Sequence, residues 1–166
     1  KLFENMIIGN KGFFHISGLT FRKKIFEIAG KFYRLKISED THMWLRIAAT
    51  GNLYPGTFDN AVAVRRAHQE NMMSNLAGKD FIFHRKIMWE SLLEWAEDNK
   101  LSSEKIRLLE YGALINDSLE PAGNKTEFRT GRFIPNLLNY FRNHSFKENM
   151  QILNIFFQHT KNKIIN

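Results

Sequence analysis

A broad apolar stripe between residues 79 and 98 sets the strongest constraint on how this chain folds. Two adjacent rows of apolar side chains recur at helical spacing; they are Phe81, Met88, Leu92 and Trp95 in one row and Ile82, Trp89, Leu93 and Ala96 in the other. This spacing is typical of an α-helix that buries one wide face. The sequence therefore predicts a helix over 79–98 that packs against other elements.

Three more helices are predicted after this one. The first begins at Ser102 or Ser103 and is interrupted by Pro121 and Gly123, while Pro135 suits the first turn of the second. The apolar residues at helical spacing in the first of these are Ile106, Leu109 and Ala113. Four helices joined by short turns favour a small bundle that packs on the first half of the chain.

The last predicted helix carries its own start signal. Ser145 and Glu148 have the spacing of a capping box, in which each side chain bonds the backbone N–H of the other residue. The apolar residues that then recur at helical spacing are Phe146, Met150, Leu153 and Phe157. We expect the aromatic residues of the helices to belong mostly to the core.

The first half of the chain has a different pattern, with short apolar runs among glycines. Residues 13–17 are typical of a short strand that ends at Gly18, and residues 22–29 of a short helix. Ser38 is a good N-cap for a helix that runs to about residue 50. Residues 61–66 alternate as a strand does, so the first half is predicted to mix helices and strands.

Composition excludes some classes of function and leaves others open. No apolar run approaches the roughly 18 residues that a membrane-spanning helix requires. The chain has no cysteine, which excludes disulfides, zinc–thiolate sites and thiol nucleophiles. The formal net charge is +7, and a basic surface attracts any polyanion without choosing among them. Charge alone therefore does not name a partner.

An acidic pair, Glu39 and Asp40, falls in the first turn of the helix that Ser38 is predicted to cap. The positive end of a helix dipole favours an ionised carboxylate there, which suits a base that accepts a proton. Acidic residues in a first turn are also common helix stabilisers, each worth about 0.3–1 kcal/mol. The pair by itself leaves catalysis and capping both open.

The residues around the pair resemble the C-terminal half of the catalytic domain of family 2 inverting glycosyltransferases of the type A fold. That family carries Gly-Phe-x-x-x-Leu-x-x-x-Glu-Asp, then Trp-Leu-Arg, then Arg-x-His-x-x-Asn-x-Ser. The matching residues are Gly30, Phe32, Leu35, Glu39, Asp40, Trp44, Leu45, Arg46, Arg66, His68, Asn71 and Ser74, with one extra residue between Gly30 and Phe32. The resemblance implies an α/β fold with few strands, followed by a mainly helical extension.

The resemblance also implies a reaction, the transfer of a sugar from a nucleotide-diphosphate donor to a glycan or lipid-linked acceptor by an inverting single displacement. In that family the Asp of the pair is the general base, which here is Asp40, with Glu39 beside it. The positions assigned to substrate binding are Gly18, Trp44, Arg46 and Arg66. A core position for Trp44 and a surface ion pair between Arg46 and Glu39 remain open from the residues alone.

A divalent cation is expected at the leaving diphosphate. Proteins resembling this one bind Mn²⁺ or Mg²⁺ through an Asp-x-Asp motif, and many add a histidine, whose position His68 occupies. His68 would come from a separate strand to lie close to Asp40. A single histidine does not define a metal site, so a histidine on a surface loop explains the same residue.

The resemblance covers residues 13–74 and lacks the donor side. No Asp-x-Asp precedes it, and about ten residues precede the first predicted strand. We therefore expect residues 1–76 to be the acceptor-side part of a catalytic domain and residues 77–166 a helical extension. The chain is expected to be a fragment of a longer enzyme and to be inactive alone.

The alternative is a noncatalytic basic helical module that binds nucleic acid or a protein partner. It predicts basic residues clustered on a helix face or interleaved with exposed aromatic residues. Because the aromatic residues share apolar stripes, we expect no nucleic acid partner. The enzyme is expected to be cytoplasmic, and the basic charge leaves contact with the anionic inner face of a membrane open.

Overall fold

A computed structural model of the chain describes residues 2–8, 19–52, 54, 78–122 and 125–165. Helix makes up 73% of these residues. The strands that they contain form a single two-stranded sheet. The α/β fold predicted from the glycosyltransferase resemblance is therefore wrong for this part of the chain, because helical packing, and no central sheet, holds it together. The strands predicted at 13–17 and 61–66 lie outside the described residues.

The described elements follow one another in a simple order. They are α1 (Leu2–Ile8), α2 (Ile25–Ile28), α3 (Glu39–Thr50), α4 (Gly78–Asp98), α5 (Ser103–Asp117), β1 (Leu119–Ala122), β2 (Lys125–Phe128), α6 (Thr130–Asn143) and α7 (Phe146–Ile165). The predicted helices over 38–50 and 79–98 and the helix beginning near Ser103 are confirmed to within a residue or two. Only the second half of the helix predicted over 22–29 forms, as α2.

The main core lies between α4 and α5. Met88, Leu92 and Leu109 are fully buried there, so the stripe predicted for α4 faces the core as expected. Gly112 permits the close approach of the two helices, since a Cβ at this position would lie 2.5 Å from the ring of Trp89. Helices α1 and α3 complete this core with Phe3 and Leu45. The candidate site on α3 is thus anchored to the helical second half.

A β-hairpin forms between α5 and α6, where the sequence predicted only an interruption between two helices. Strands β1 and β2 pair antiparallel, with Glu120 opposite Glu127 and Leu119 opposite Phe128. Two carboxylates facing each other across a ladder repel, and Arg129 offsets this by pairing with both, at 3.4 Å from Glu120 Oε2 and 3.3 Å from Glu127 Oε2. Local sequence gave no sign of this pairing, because it depends on an arginine beyond the hairpin.

Helices α6 and α7 form an antiparallel helical hairpin. Phe133 of α6 stacks on Phe156 of α7 with ring centroids 5.4 Å apart. The predicted capping box is confirmed, since the Ser145 N–H donates to Glu148 Oε2 at 2.8 Å and the Glu148 N–H donates to Ser145 Oγ at 3.4 Å. Pro135 is not in the first turn as predicted but lies inside α6, which begins at Thr130.

A partly buried polar network joins α5 to this hairpin. Arg107 lies at 2.5 Å from Glu110 Oε2 and 3.2 Å from Glu148 Oε1, and it donates to the hydroxyl of Tyr140 at 2.7 Å. Tyr140 in turn donates to Glu110 at 2.5 Å, and its ring stacks on His144. Three helices therefore share one set of charge-assisted hydrogen bonds, which fixes the register of the hairpin on α5.

Two aromatic residues predicted for the core are at the surface. The exposed fraction is 80% for Phe146 and 63% for Phe157, whereas Trp89 and Trp95 are buried as expected. The expected core position is wrong for these two phenylalanines, and Phe83 of α4, which is not in the predicted stripe, is 59% exposed. On α7 the buried side of the helix is instead formed by Ile152 and its neighbours.

Candidate functional site

The acidic pair lies at the start of α3, where the sequence predicted it. Ser38 occupies the N-cap position and its carbonyl accepts the first helical hydrogen bond, from the His42 N–H at 2.9 Å. Ser38 has the left-handed backbone conformation, with φ of 62°, and its side chain makes no capping hydrogen bond. The predicted position of the cap is right and the predicted mechanism is wrong. Asp40 Oδ1 instead accepts the Thr41 N–H at 2.6 Å.

The Asp40 carboxylate remains available to a substrate. Asp40 is half-buried, and among the described residues the structure gives it no cation partner. The hydrogen bonds to Oδ1, from the N–H and the hydroxyl of Thr41, leave Oδ2 without a partner within the same set of residues. The amino end of α3 also favours negative charge at this position. These features suit a carboxylate that accepts a proton from a bound hydroxyl.

An aromatic cluster lies one helical turn from Asp40. Trp44, four residues further along α3, stacks on Phe21 with centroids 5.2 Å apart and meets the edge of Phe32 at 6.1 Å. Trp44 is 5% exposed, whereas Phe32 is 41% exposed. Trp44 is therefore a core anchor of the cluster, and Phe32 is the ring that can offer a face to a sugar. Sequence analysis named Phe32 as a motif residue and not as a site residue.

Arg46 lies six residues after Asp40 on the same helix and does not face solvent. Its guanidinium is fully buried and donates from Nη1 to the carbonyl of Ala29 and from Nη2 to the carbonyl of Lys31, the second at 2.7 Å. Gly30 lies between these carbonyls with φ of 78°, and a Cβ there would lie 3.1 Å from Arg46 Nη1. Arg46 therefore clamps a tight glycine turn, and the structure records no contact between its guanidinium and Glu39.

The same guanidinium organises two aromatic rings. The Cζ atom of Arg46 lies 4.7 Å from the ring centroid of Tyr33 and 5.7 Å from that of Trp95. Cation–π contacts of this kind partly replace the lost hydration of a buried charge. Burial lowers the pKa of Arg46 from its ordinary value. Because Trp95 belongs to α4, Arg46 also joins the segment preceding α3 to the main core.

His42 is a buried residue that sequence reasoning did not assign to the site. It is fully buried, and its ring lies 4.5 Å from that of Tyr33. Burial, followed by the positive charge of Arg46, lowers the pKa of His42 from 6.5 to about 4. His42 is therefore neutral near pH 7 and contributes packing under Asp40. No local pattern marks it, because the cause is tertiary burial.

Three of the predicted site residues, Gly18, Arg66 and His68, lie outside the described residues. The predicted proximity of Asp40 and His68 lies outside them as well. Within the described ranges there is no group of three or more His, Asp or Glu side chains placed to hold a metal ion. Of the predicted site residues, Glu39 and Asp40 are half-buried in the first turn of α3, and Trp44 and Arg46 are buried further along the same helix.

Two clefts in the described structure lie away from α3. The first, of about 390 Å³, lies between α1, α5 and α7, and its lining includes Glu4, Arg107 and Asn154. The second, of about 410 Å³, lies between α4 and α6. Neither contains a residue of the acidic pair.

Comparison with known proteins gives no relative for this chain: no family model, curated protein or solved structure matches it. Among the described residues, no helix is long and apolar enough to cross a membrane. The function must therefore be argued from the site itself.

Proposed function

We propose that this chain supplies the acceptor side of an inverting glycosyltransferase, with Asp40 as the general base. The observation that carries the proposal is the placement of Asp40. A half-buried carboxylate with a free oxygen and no cation partner in the described structure lies at the amino end of α3, one turn from the Trp44–Phe32 pair. Carboxylates beside aromatic faces suit hydroxyl-bearing, partly apolar sugar rings.

The reaction is one displacement in which atoms and charge balance. The acceptor hydroxyl oxygen attacks the anomeric carbon, and its proton passes to Asp40 Oδ2. The bond between the anomeric carbon and the diphosphate oxygen breaks, and the nucleoside diphosphate leaves with the electron pair. A base within hydrogen-bond reach of the hydroxyl contributes roughly 10²–10⁴-fold in rate.

The supporting residues hold Asp40 in place. Arg46 fixes the Ala29–Lys31 turn through two backbone carbonyls, and this turn leads directly into the segment that carries Phe32 and Tyr33. Since the same arginine lies within α3, the aromatic segment and the acidic pair share one anchor. The predicted substrate-binding role of Arg46 is thus replaced by a positioning role in this proposal.

The proposed reaction includes no step for the predicted Mn²⁺ or Mg²⁺. The described side chains provide no ligand set for a divalent cation, and His68, the residue predicted to bind it, lies outside the described residues. The nucleotide-sugar donor and the glycan or lipid-linked acceptor remain part of the proposal on the strength of the sequence resemblance.

The test is Asp40→Asn in the full-length protein, with Asp80→Asn as the matched control. Asp80 also lies in the first turn of a helix, α4, but is exposed and far from the aromatic cluster in sequence. We expect sugar transfer from a panel of nucleotide sugars to fall by at least about 10²-fold in Asp40→Asn alone, with donor binding retained. Equal activity in the two variants would remove Asp40 from the reaction.

The alternative proposal, a basic module that binds nucleic acid, has less support from the charges. Arg107, Arg129 and Arg132 of the second half are each held in ion pairs with glutamates. Arginines engaged in this way are less free to neutralise phosphates. The exposed phenylalanines of the second half nevertheless indicate a binding surface, which α7 shows most clearly.

A further inference from the structure

Helix α7 carries an apolar stripe that faces away from the protein. Phe146 is 80% exposed, Met150 40% and Phe157 63%. These residues are separated by four and seven positions, so they lie along one side of the helix, with the half-buried Leu153 between them. From Phe146 to Phe157 the stripe is about 16 Å long.

The stripe cannot turn inward without unfolding the hairpin. The opposite side of α7 is already in the core, where Ile152 is fully buried and Phe156 stacks on Phe133. The capping box and the ion pair in which Arg107 donates to Glu148 fix the rotation of the helix at its start. The outward face of α7 is therefore a surface feature of the folded state.

The charge on this face has one sign. Glu148 is the only acidic residue of α7, and it points toward Arg107 and Ser145. Lys147, beside Phe146, is exposed, and the sequence of the helix adds Lys161 and Lys163 near its end. An apolar stripe that begins beside an exposed lysine, on a helix whose one carboxylate is turned toward Arg107, complements a surface that is apolar inside and anionic at its boundary.

We propose that the outward face of α7, defined by Phe146, Lys147, Met150, Leu153 and Phe157, docks on an anionic lipid bilayer. The helix lies parallel to the membrane plane, with the two phenylalanines inserted among the acyl chains near the headgroups. The lysines pair with lipid phosphates. This proposal stands on the geometry of α7 and does not depend on the role of Asp40.

A second copy of the chain fits this face less well. The exposed parts of the two phenylalanines and Met150 offer on the order of 300–400 Å² of apolar surface, given the usual area of such side chains. A stable protein interface buries about 800 Å² on each partner. Two copies would also bring lysines of the same sign together without a carboxylate on either face to offset them.

Nucleic acid also fits less well. Binding to a duplex depends on many phosphate contacts from basic side chains, and binding to single strands depends on flat rings that stack on bases. The centre of this stripe holds Met150 and Leu153, which are aliphatic side chains that bases do not stack on. The acyl layer of a lipid bilayer can bury every side chain of the stripe, whether aromatic or aliphatic.

The experiment is co-sedimentation of the chain with phosphatidylcholine vesicles that either contain or lack phosphatidylglycerol. We expect binding to the anionic vesicles only, weakening as salt is raised because screening shortens the reach of the lysines. Phe146→Ser combined with Phe157→Ser is expected to weaken binding by at least about tenfold. Both residues are exposed, so circular dichroism should show an unchanged helix content.

The matched control is Phe83→Ser, which removes a phenylalanine that is 59% exposed on α4. It should bind anionic vesicles as the unmodified chain does. Lys147→Gln is compared with Lys79→Gln, an exposed lysine at the start of α4, and only the first should weaken binding at low salt.

Three outcomes would overturn the proposal. One is binding that the double phenylalanine variant retains. Another is sedimentation equilibrium showing a dimer that the same variant dissociates, which would assign the face to a second copy. The third is a fluorescent oligonucleotide that binds the chain more tightly than the anionic vesicles and is released by the double variant. Loss of sugar transfer in Asp40→Asn would leave the vesicle result unchanged, so the two proposals fail separately.

Discussion

A buried arginine, Arg46, and a partly buried one, Arg107, are stabilised in different ways in this protein. Arg107 in the helical second half pairs with Glu110 and Glu148, whereas Arg46 under the candidate site bonds to two backbone carbonyls and contacts two aromatic rings. Burial by itself lowers the pKa of both. The hydrogen bond to Tyr140 and the charge of Glu110 then raise the pKa of Arg107 overall, while that of Arg46 stays lowered.

This difference indicates that the Arg107 network has a structural role, whereas the region around Arg46 and Asp40 has charge available to a further partner. The Arg107 network neutralises its charges within the described helices and joins three of them. Around Arg46 the positive charge is not balanced by a carboxylate among the described residues, and an unpaired acid, Asp40, lies on the same helix. Charge that is left uncompensated inside a fold is costly, so it is typical of positions where function requires it.

The largest expected effect comes from opening the Arg107 network. Arg107→Met leaves the partly buried Glu110 without its cation. Removing one partner of a fully buried pair costs roughly 3–5 kcal/mol, and we expect about 3 kcal/mol here because Arg107 and Glu110 keep some exposure and Glu148 is one-third exposed. Urea unfolding of the chain measures the loss. The control is Lys86→Met, which breaks an exposed pair with Glu90 and should cost under about 0.5 kcal/mol. Similar losses in the two variants would show that the network contributes little.

The second prediction concerns His42, two residues after Asp40 on α3, and the pH dependence of the free energy of unfolding. The pKa of His42 is about 4 in the folded protein and 6.5 in the reference state, so the unfolded chain binds more protons between these values. The contribution of His42 to stability is therefore complete above pH 6.5 and is lost as pH falls toward 4, by up to about 3 kcal/mol. Urea unfolding at several pH values measures this slope.

His42→Leu should remove that slope while keeping the site packed against Tyr33. His84→Gln, at a half-buried position on α4, is the control for the loss of an imidazole, and the effect of His42→Leu is judged against it. An undiminished slope in His42→Leu would mean that other groups cause the acid sensitivity, and the buried, neutral state of His42 would then be wrong.

The same contrast explains what the sequence could predict. The helix over 79–98 and the capping box of Ser145 and Glu148 were predictable, because apolar spacing and cap spacing are local signals. The position of Asp40 in a first helical turn was predictable for the same reason. The β-hairpin was not, since the repulsion between Glu120 and Glu127 is offset by Arg129, which pairs with both and which no local pattern links to them.

The interior of the site could not be predicted either. The roles of Arg46 and His42 depend on which carbonyls and rings the tertiary fold brings to them. From the sequence alone, Arg46 could equally bind a phosphate or hold a backbone turn. Ser38 has the residue type of an N-cap, but its left-handed backbone directs its side chain away from that role. The exposed position of Phe146 follows from the way Glu148 fixes the rotation of α7.

The smallest expected effect concerns Arg46 and sharpens the contrast with Arg107. Arg46→Met removes hydrogen bonds to the carbonyls of Ala29 and Lys31 but also removes a buried charge, so we expect a net loss of about 1–2 kcal/mol. Hydrogen exchange of the amides in residues 29–38 should rise more than that of α4, because the glycine turn loses its clamp. A loss as large as that of Arg107→Met would contradict the proposed difference between the two arginines.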